Sequence, residues 1–91
     1  MTTALILHSR AAWRDIVRQW IKGKPSGHVF RSSDFYRWVE SASFLTPADT
    51  KAHQRLGRPM WRVNLSRALS DLHKLGEIIH PGFSHLAWMV P

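Results

Sequence analysis

The chain predicts an α+β fold, mainly helical, with a small antiparallel sheet. Three observations carry this. Apolar residues recur at i, i+3 and i+4 in three separate stretches, the spacing of one helix face. The longest stretch ends at Gly76 and is followed by two short β-prone runs joined through Pro81-Gly82, the pattern of a hairpin. Of the 91 residues, 44% are hydrophobic, including five Trp and four Phe. A chain this short buries only about 60–65% of its unfolded surface. That apolar content therefore points to one dense core and excludes disorder. One domain is expected over residues 9–91, preceded by a tail over 1–8.

Ser9 is placed to cap a first helix that runs to about Lys22, with Ala12, Trp13, Ile16, Val17, Trp20 and Ile21 on its apolar face. Gly23-Lys24-Pro25-Ser26-Gly27 is loop by composition. His28-Val29-Phe30 is short and β-prone, and would form a third strand beside the hairpin; a hairpin alone is only marginally stable. Ser32-Ser33-Asp34 starts a second helix, with Phe35, Trp38, Val39 and Ala42 on one face. Thr46-Pro47-Ala48-Asp49 combines a cap, a proline at the first helical position and an acid near the N-terminal dipole. It predicts a short bridging helix of one or two turns. Pro59 then opens a long helix whose buried stripe is Trp61, Leu65, Ala68, Leu69, Leu72 and Leu75. Gly76 stops it. Glu77 to His80 reads as a strand, and His85 to Val90 as its partner, with Leu86, Trp88 and Val90 on one face and Ala87 and Met89 on the other.

Charge is distributed unevenly. Lys and Arg number 13 against six Asp and Glu, a net charge of +7 with neutral histidines. Nine of the 13 are arginines, whose rigid donor fork matches phosphates and guanine edges. At about 100° per residue, the side of the long helix opposite its apolar stripe presents Arg62, Val63, Ser66, Arg67, Ser70 and Lys74, with His73 at the margin. Cations and hydroxyls beside a β-branched residue suit a major groove: arginine pairs with guanine, serine bonds phosphates or base edges, and valine touches a thymine methyl. Arg58 and the free amides of the first turn are placed to hold a phosphate. Such a helix followed at once by a hairpin is the reading head of a winged helix-turn-helix, here with three main helices, a bridging helix and a small sheet as the wing. Phe83, Ser84 and His85 lie at the wing tip. Double-stranded DNA is the expected partner.

Other chemistries find less support. Arg10, Arg14, Arg18 and Lys22 form a basic edge on the first helix. It would track a phosphate backbone, lie on an anionic membrane with Trp13 and Trp20 as anchors, or simply be solvated. His73, His80 and His85 lie near one another in sequence but lack the spacing of a metal site. The six acids are scattered, and Asp15, Asp34, Asp49 and Asp71 suit capping or helix-face roles better than catalysis. No enzyme activity, metal, cofactor, small-molecule substrate or membrane association is expected. The absence of cysteine excludes disulfides and fits a reducing compartment. The N-terminus is too short in apolar residues for a signal peptide, so the cytoplasm is the expected location.

In order, Phe30-Arg31-Ser32-Ser33-Asp34-Phe35, Leu45-Thr46-Pro47-Ala48-Asp49, Gly57-Arg58-Pro59-Met60-Trp61-Arg62, Ala68-Leu69-Ser70-Asp71-Leu72, Gly76 and Pro81-Gly82 with Trp88 resemble the winged-helix domains of Mrr-type restriction proteins. The resemblance spans about residues 10–90. It implies that Pro59–Leu75 is the recognition helix and 78–90 the wing. It also implies DNA binding without catalysis, because in those proteins a separate nuclease domain cuts, and 91 residues leave no room for one. Wings of that family often carry arginine at the tip, where this chain has Phe83-Ser84.

The expected function is therefore sequence- or modification-dependent DNA binding, as a small regulator or as the recognition module of a restriction-like system. The rival reading is a protein-interaction or dimerisation module, for which Met1–Leu7, Phe83 and Met89 are the candidate apolar contacts and a homodimer the simplest assembly.

Overall fold

The structure is a computed structural model in which residues 7–42 and 45–91 are described. The order is α1 (Arg10–Lys22), β1 (Val29–Arg31), α2 (Ser32–Ser41), α3 (Pro47–Thr50), α4 (Met60–Lys74) and β2 (Ala87–Met89). The described residues form an α+β domain of four helices and a two-stranded antiparallel sheet.

Local chemistry accounts for the helix ends. The Ser9 hydroxyl accepts from the Ala12 amide at 3.1 Å and starts α1. The Asp34 carboxylate accepts from the Arg31 amide at 3.1 Å at the head of α2. Around α3 the capping is reciprocal: the Asp49 amide donates to the Thr46 hydroxyl (3.2 Å), and the Thr46 amide donates to the Asp49 carboxylate (2.9 Å). α4 ends in a Schellman turn. Gly76 takes φ +76°, its amide donates to His73 O (3.0 Å), and the Glu77 amide donates to Leu72 O (2.9 Å). A side chain at residue 76 would be strained there.

α1 packs along α4. The core is built from Trp13 and Val17 of α1, Phe35 and Val39 of α2, Trp61, Leu65, Ala68, Leu69 and Leu72 of α4, and Phe30, Ile78 and Val90 from the strand side. The Trp20 ring meets Phe30 edge-on at 4.9 Å and Phe35 at 5.2 Å, which locks α1, β1 and α2 together.

The sheet differs from the expected hairpin. β2 pairs with β1 in the register Val29–Met89, Phe30–Trp88, Arg31–Ala87. On its other side, among the described residues, the backbone of β2 is bridged at Ile79, which bonds Met89 at 3.0 and 2.7 Å. The arm expected over Glu77–His80 is thus a single bridge. Ile78 is drawn fully into the core, and Pro81 has no amide to extend the ladder. The expected strand face is also displaced: Leu86 precedes β2 and is 78% exposed, whereas Ala87 is buried. In α4, Leu75 caps the helix and is exposed rather than part of the buried stripe. Ala42, placed on the buried face of helix two, is exposed at the end of α2, and Trp38 is partly exposed.

His8, assigned to the tail, is anchored. Its amide donates to Asp49 Oδ1 (2.7 Å), its ring Nδ1 lies 2.6 Å from Asp49 Oδ2, and its carbonyl accepts from Asn64 Nδ2 (3.2 Å). Asp49 is fully buried. Burial opposes its ionisation, but the amides of Thr46 and His8 and the His8 ring outweigh that and hold its carboxyl below the usual carboxylate range. Among the described residues, no helix is long and apolar enough to cross a membrane.

Candidate nucleic-acid interface

The basic residues divide into two groups according to where the acids lie. On α1, Arg10 and Arg14 both bond Asp71 of α4, Arg14 at 2.8 Å, and Arg18 forms a two-pronged bond to Glu77 at 2.8 and 2.9 Å. Hydrogen bonding from Arg10, only partly opposed by desolvation, and then from Arg14 holds the Asp71 carboxyl far below the usual range; Arg18 does the same, more weakly, to Glu77. The α1 edge is therefore an intramolecular seam. The three readings of it as a phosphate track, a membrane face or a solvated stripe all missed this, because its partners lie about 60 residues away in sequence. Trp13 is fully buried and anchors the core, not a membrane.

Arg37 pairs with Asp34. Of the 13 Lys and Arg, this leaves nine with no ion pair among the described residues. Four of these nine are expected site residues: Arg58, Arg62, Arg67 and Lys74, all exposed. Ser66 and Ser70 are exposed with them. Lys51 and Arg55 extend the same unpaired set and are exposed; the bridging helix expected to run to about Arg55 ends at Thr50, and its polar composition gives no sign of a role for them.

One member of the expected face is corrected. Val63 is only 3% exposed, so it cannot touch a thymine methyl. It lies opposite the apolar stripe, but α3 packs against α4, and the segment between them folds back through an Ala52–Pro59 bridge and a bond from the Met60 amide to Lys51 O (2.8 Å). The first turns of α4 are thus covered on a second side, and Asn64 is buried with its amide on His8 O. The same bond consumes one of the first-turn amides expected to be free for a phosphate. The open face of α4 is left as Arg62, Ser66, Ser70 and His73, with Arg67 and Lys74 on one flank.

Arg62 is not free to sweep. Its guanidinium carbon sits 4.5 Å from the centre of the Tyr36 ring and 5.9 Å from that of Trp61. Tyr36, which no sequence pattern marks as a site residue, meets Trp61 edge-on at 5.7 Å and 84°. Only its place on α2, next to the buried Phe35, hints that it can reach α4.

At the wing, Phe83 is 77% exposed and His85 is exposed. Ser84 is half-buried and holds the turn: its hydroxyl accepts from the Leu86 amide (3.0 Å) and its own amide donates to Pro81 O (3.2 Å). His80 stacks on Trp88 at 4.6 Å and 20°. Its Nδ1 lies 2.9 Å from the Ala87 carbonyl, which can only accept, so Nδ1 carries the proton. His73 packs against His80 at 4.6 Å, joining the wing base to the open face of α4. Among the described residues no three His, Cys, Asp or Glu are grouped to hold a metal.

No protein-family model, curated protein or solved structure matches the chain.

Proposed function

We propose that this chain is a winged-helix domain that binds double-stranded DNA, with α4 lying in the major groove. The observation that carries this reading is the unpaired, exposed face of α4. Ser66 and Ser70 stand at its centre with Arg62, Arg67 and Lys74 around them, while five of the six acids are engaged elsewhere. The element order supports it: helix, strand, helix, bridging helix, long helix, then a strand returning to β1. Phosphate contacts by the unpaired cations supply most of the affinity. Ser66, Ser70 and Arg67 are the candidates for base edges. Lys51, Arg55 and Arg58 add charge at the head of the helix. The role is that of a regulator or of a recognition module in a restriction-like system; the likeness to Mrr-type winged helices rests on the sequence alone.

The test is fluorescence anisotropy with random duplex DNA at increasing salt, followed by selection from random duplexes with and without base methylation. Binding at low salt that falls steeply with salt is expected. No binding at low salt overturns the reading. That result would favour the second reading, a protein-interaction surface at the wing, for which Phe83 and Leu86, each more than three-quarters exposed, are the specific observation.

A further inference from the structure

Arg62 differs from the other exposed cations of α4 in being stacked, and that changes what it can contact. Tyr36 belongs to α2, so the stack draws the guanidinium sideways, off the centre of the open face and toward the neighbouring helix. A guanidinium held over a ring face by its charge keeps its N–H donors for an outside acceptor. Arg58 reaches the same place: Tyr36, Arg58 and Arg62 line one recess of about 200 Å³. That equals several water volumes and is ample for a tetrahedral oxyanion. No carboxylate neutralises either arginine among the described residues, in a chain where Arg10, Arg14, Arg18 and Arg37 have each found one. The edge-on contact of Tyr36 with the buried Trp61 fixes the platform to the core, so little side-chain freedom remains to be lost on binding. Two first-turn amides of α4 are already engaged, Met60 on Lys51 O (2.8 Å) and Arg62 on Pro59 O (3.0 Å), so the side chains carry the site.

We propose that Arg58 and Arg62 form an oxyanion clamp that grips one phosphate group, with Tyr36 as its positioning residue. The proposal deepens the DNA reading, on which its choice of a backbone phosphate rests. It moves Arg62 from reading bases to fixing register, and leaves base discrimination to Ser66, Ser70 and Arg67.

Two measurements test it. The first is duplex affinity against salt for Arg62→Ala, Arg62→Lys, Tyr36→Phe, Tyr36→Leu and the Tyr36→Leu/Arg62→Ala double variant. Arg62→Ala is expected to weaken every duplex in a random pool alike, by about tenfold, and to lower the salt slope by about one. Tyr36→Phe keeps the ring and stays within about twofold of the parent. Tyr36→Leu and Arg62→Lys fall toward Arg62→Ala, and the double variant is no weaker than Arg62→Ala alone. Arg62→Lys leaves Tyr36 in place, so the test survives if Tyr36→Leu does not fold. A change of preference at one base pair in Arg62→Ala, an unchanged salt slope, or additive losses in the double variant overturn the clamp. The second measurement follows the arginine Nε–Hε resonances by NMR during titration with inorganic phosphate. If no duplex binds, the DNA reading fails, yet a saturating Arg62 shift that disappears in Arg58→Ala still supports the clamp, as a site for a small oxyanion. No shift with either duplex or phosphate overturns it.

Discussion

The arginines of α1 and those around the head of α4 share a four-residue spacing, and they end in opposite states. Arg10, Arg14 and Arg18 are paired with Asp71 and Glu77. Among the described residues Arg58 and Arg62 pair with no carboxylate; Arg62 lies over the Tyr36 ring, and Arg58 lines the same recess. A basic stripe is thus a statement about composition, not about a partner. The placement of a few acids, one on the inner flank of α4 and one just past its end, decides which arginines hold the fold together and which remain open to an outside anion.

Three experiments probe that contrast. The largest effect is expected from the scaffold that both groups share. Leu65 is fully buried in the stripe of α4, and Leu65→Ala should cost about 3–5 kcal/mol and impair the seam and the open face together. Duplex affinity that stayed intact while urea unfolding lost that much stability would show that the two groups do not depend on one helix. The next effect separates them. Arg62→Ala with Arg67→Ala should lower duplex affinity by roughly a hundredfold and leave the thermal midpoint nearly unchanged. Arg10→Ala with Arg14→Ala should do the reverse, lowering the midpoint while changing affinity by less than about threefold. A swap of those two outcomes in calorimetry and anisotropy would overturn the division.

The smallest effect is set by pH. The carboxyls of Asp71, Glu77 and Asp49 titrate below their unfolded values in the folded chain. Their contribution is therefore present above the unfolded carboxylate value, about pH 4, and is lost as pH falls toward the folded values. Stability should be flat near neutrality and decline in acid, and Asp71→Asn should make that decline shallower. An acid limb in Asp71→Asn identical to that of the parent would remove the seam from the account. The same substitution frees Arg10 and Arg14, so a small rise in low-salt duplex affinity is expected alongside.

Much of this domain was legible in the chain. Ser9, Thr46 with Pro47 and Asp49, Pro59 and Gly76 mark helix ends through local bonds spanning three to five residues, and local bonds are what local sequence encodes. The stripe Trp61, Leu65, Ala68, Leu69 and Leu72 is buried as its spacing requires. The wing was read too long, because whether Glu77–His80 pairs depends on Ile78 being drawn into the core, which no local pattern records.

The helices, their caps, the buried stripe and the excess of positive charge were set along the chain, since each follows from residue identity at short spacing. Which charges remain open was settled by folding. Asp71 and Glu77 neutralise arginines about 60 residues away, α3 and the segment after it close over Val63, and Tyr36 of α2 takes hold of Arg62. Pairing, covering and stacking all depend on distances through space, and those exist only once the chain has folded.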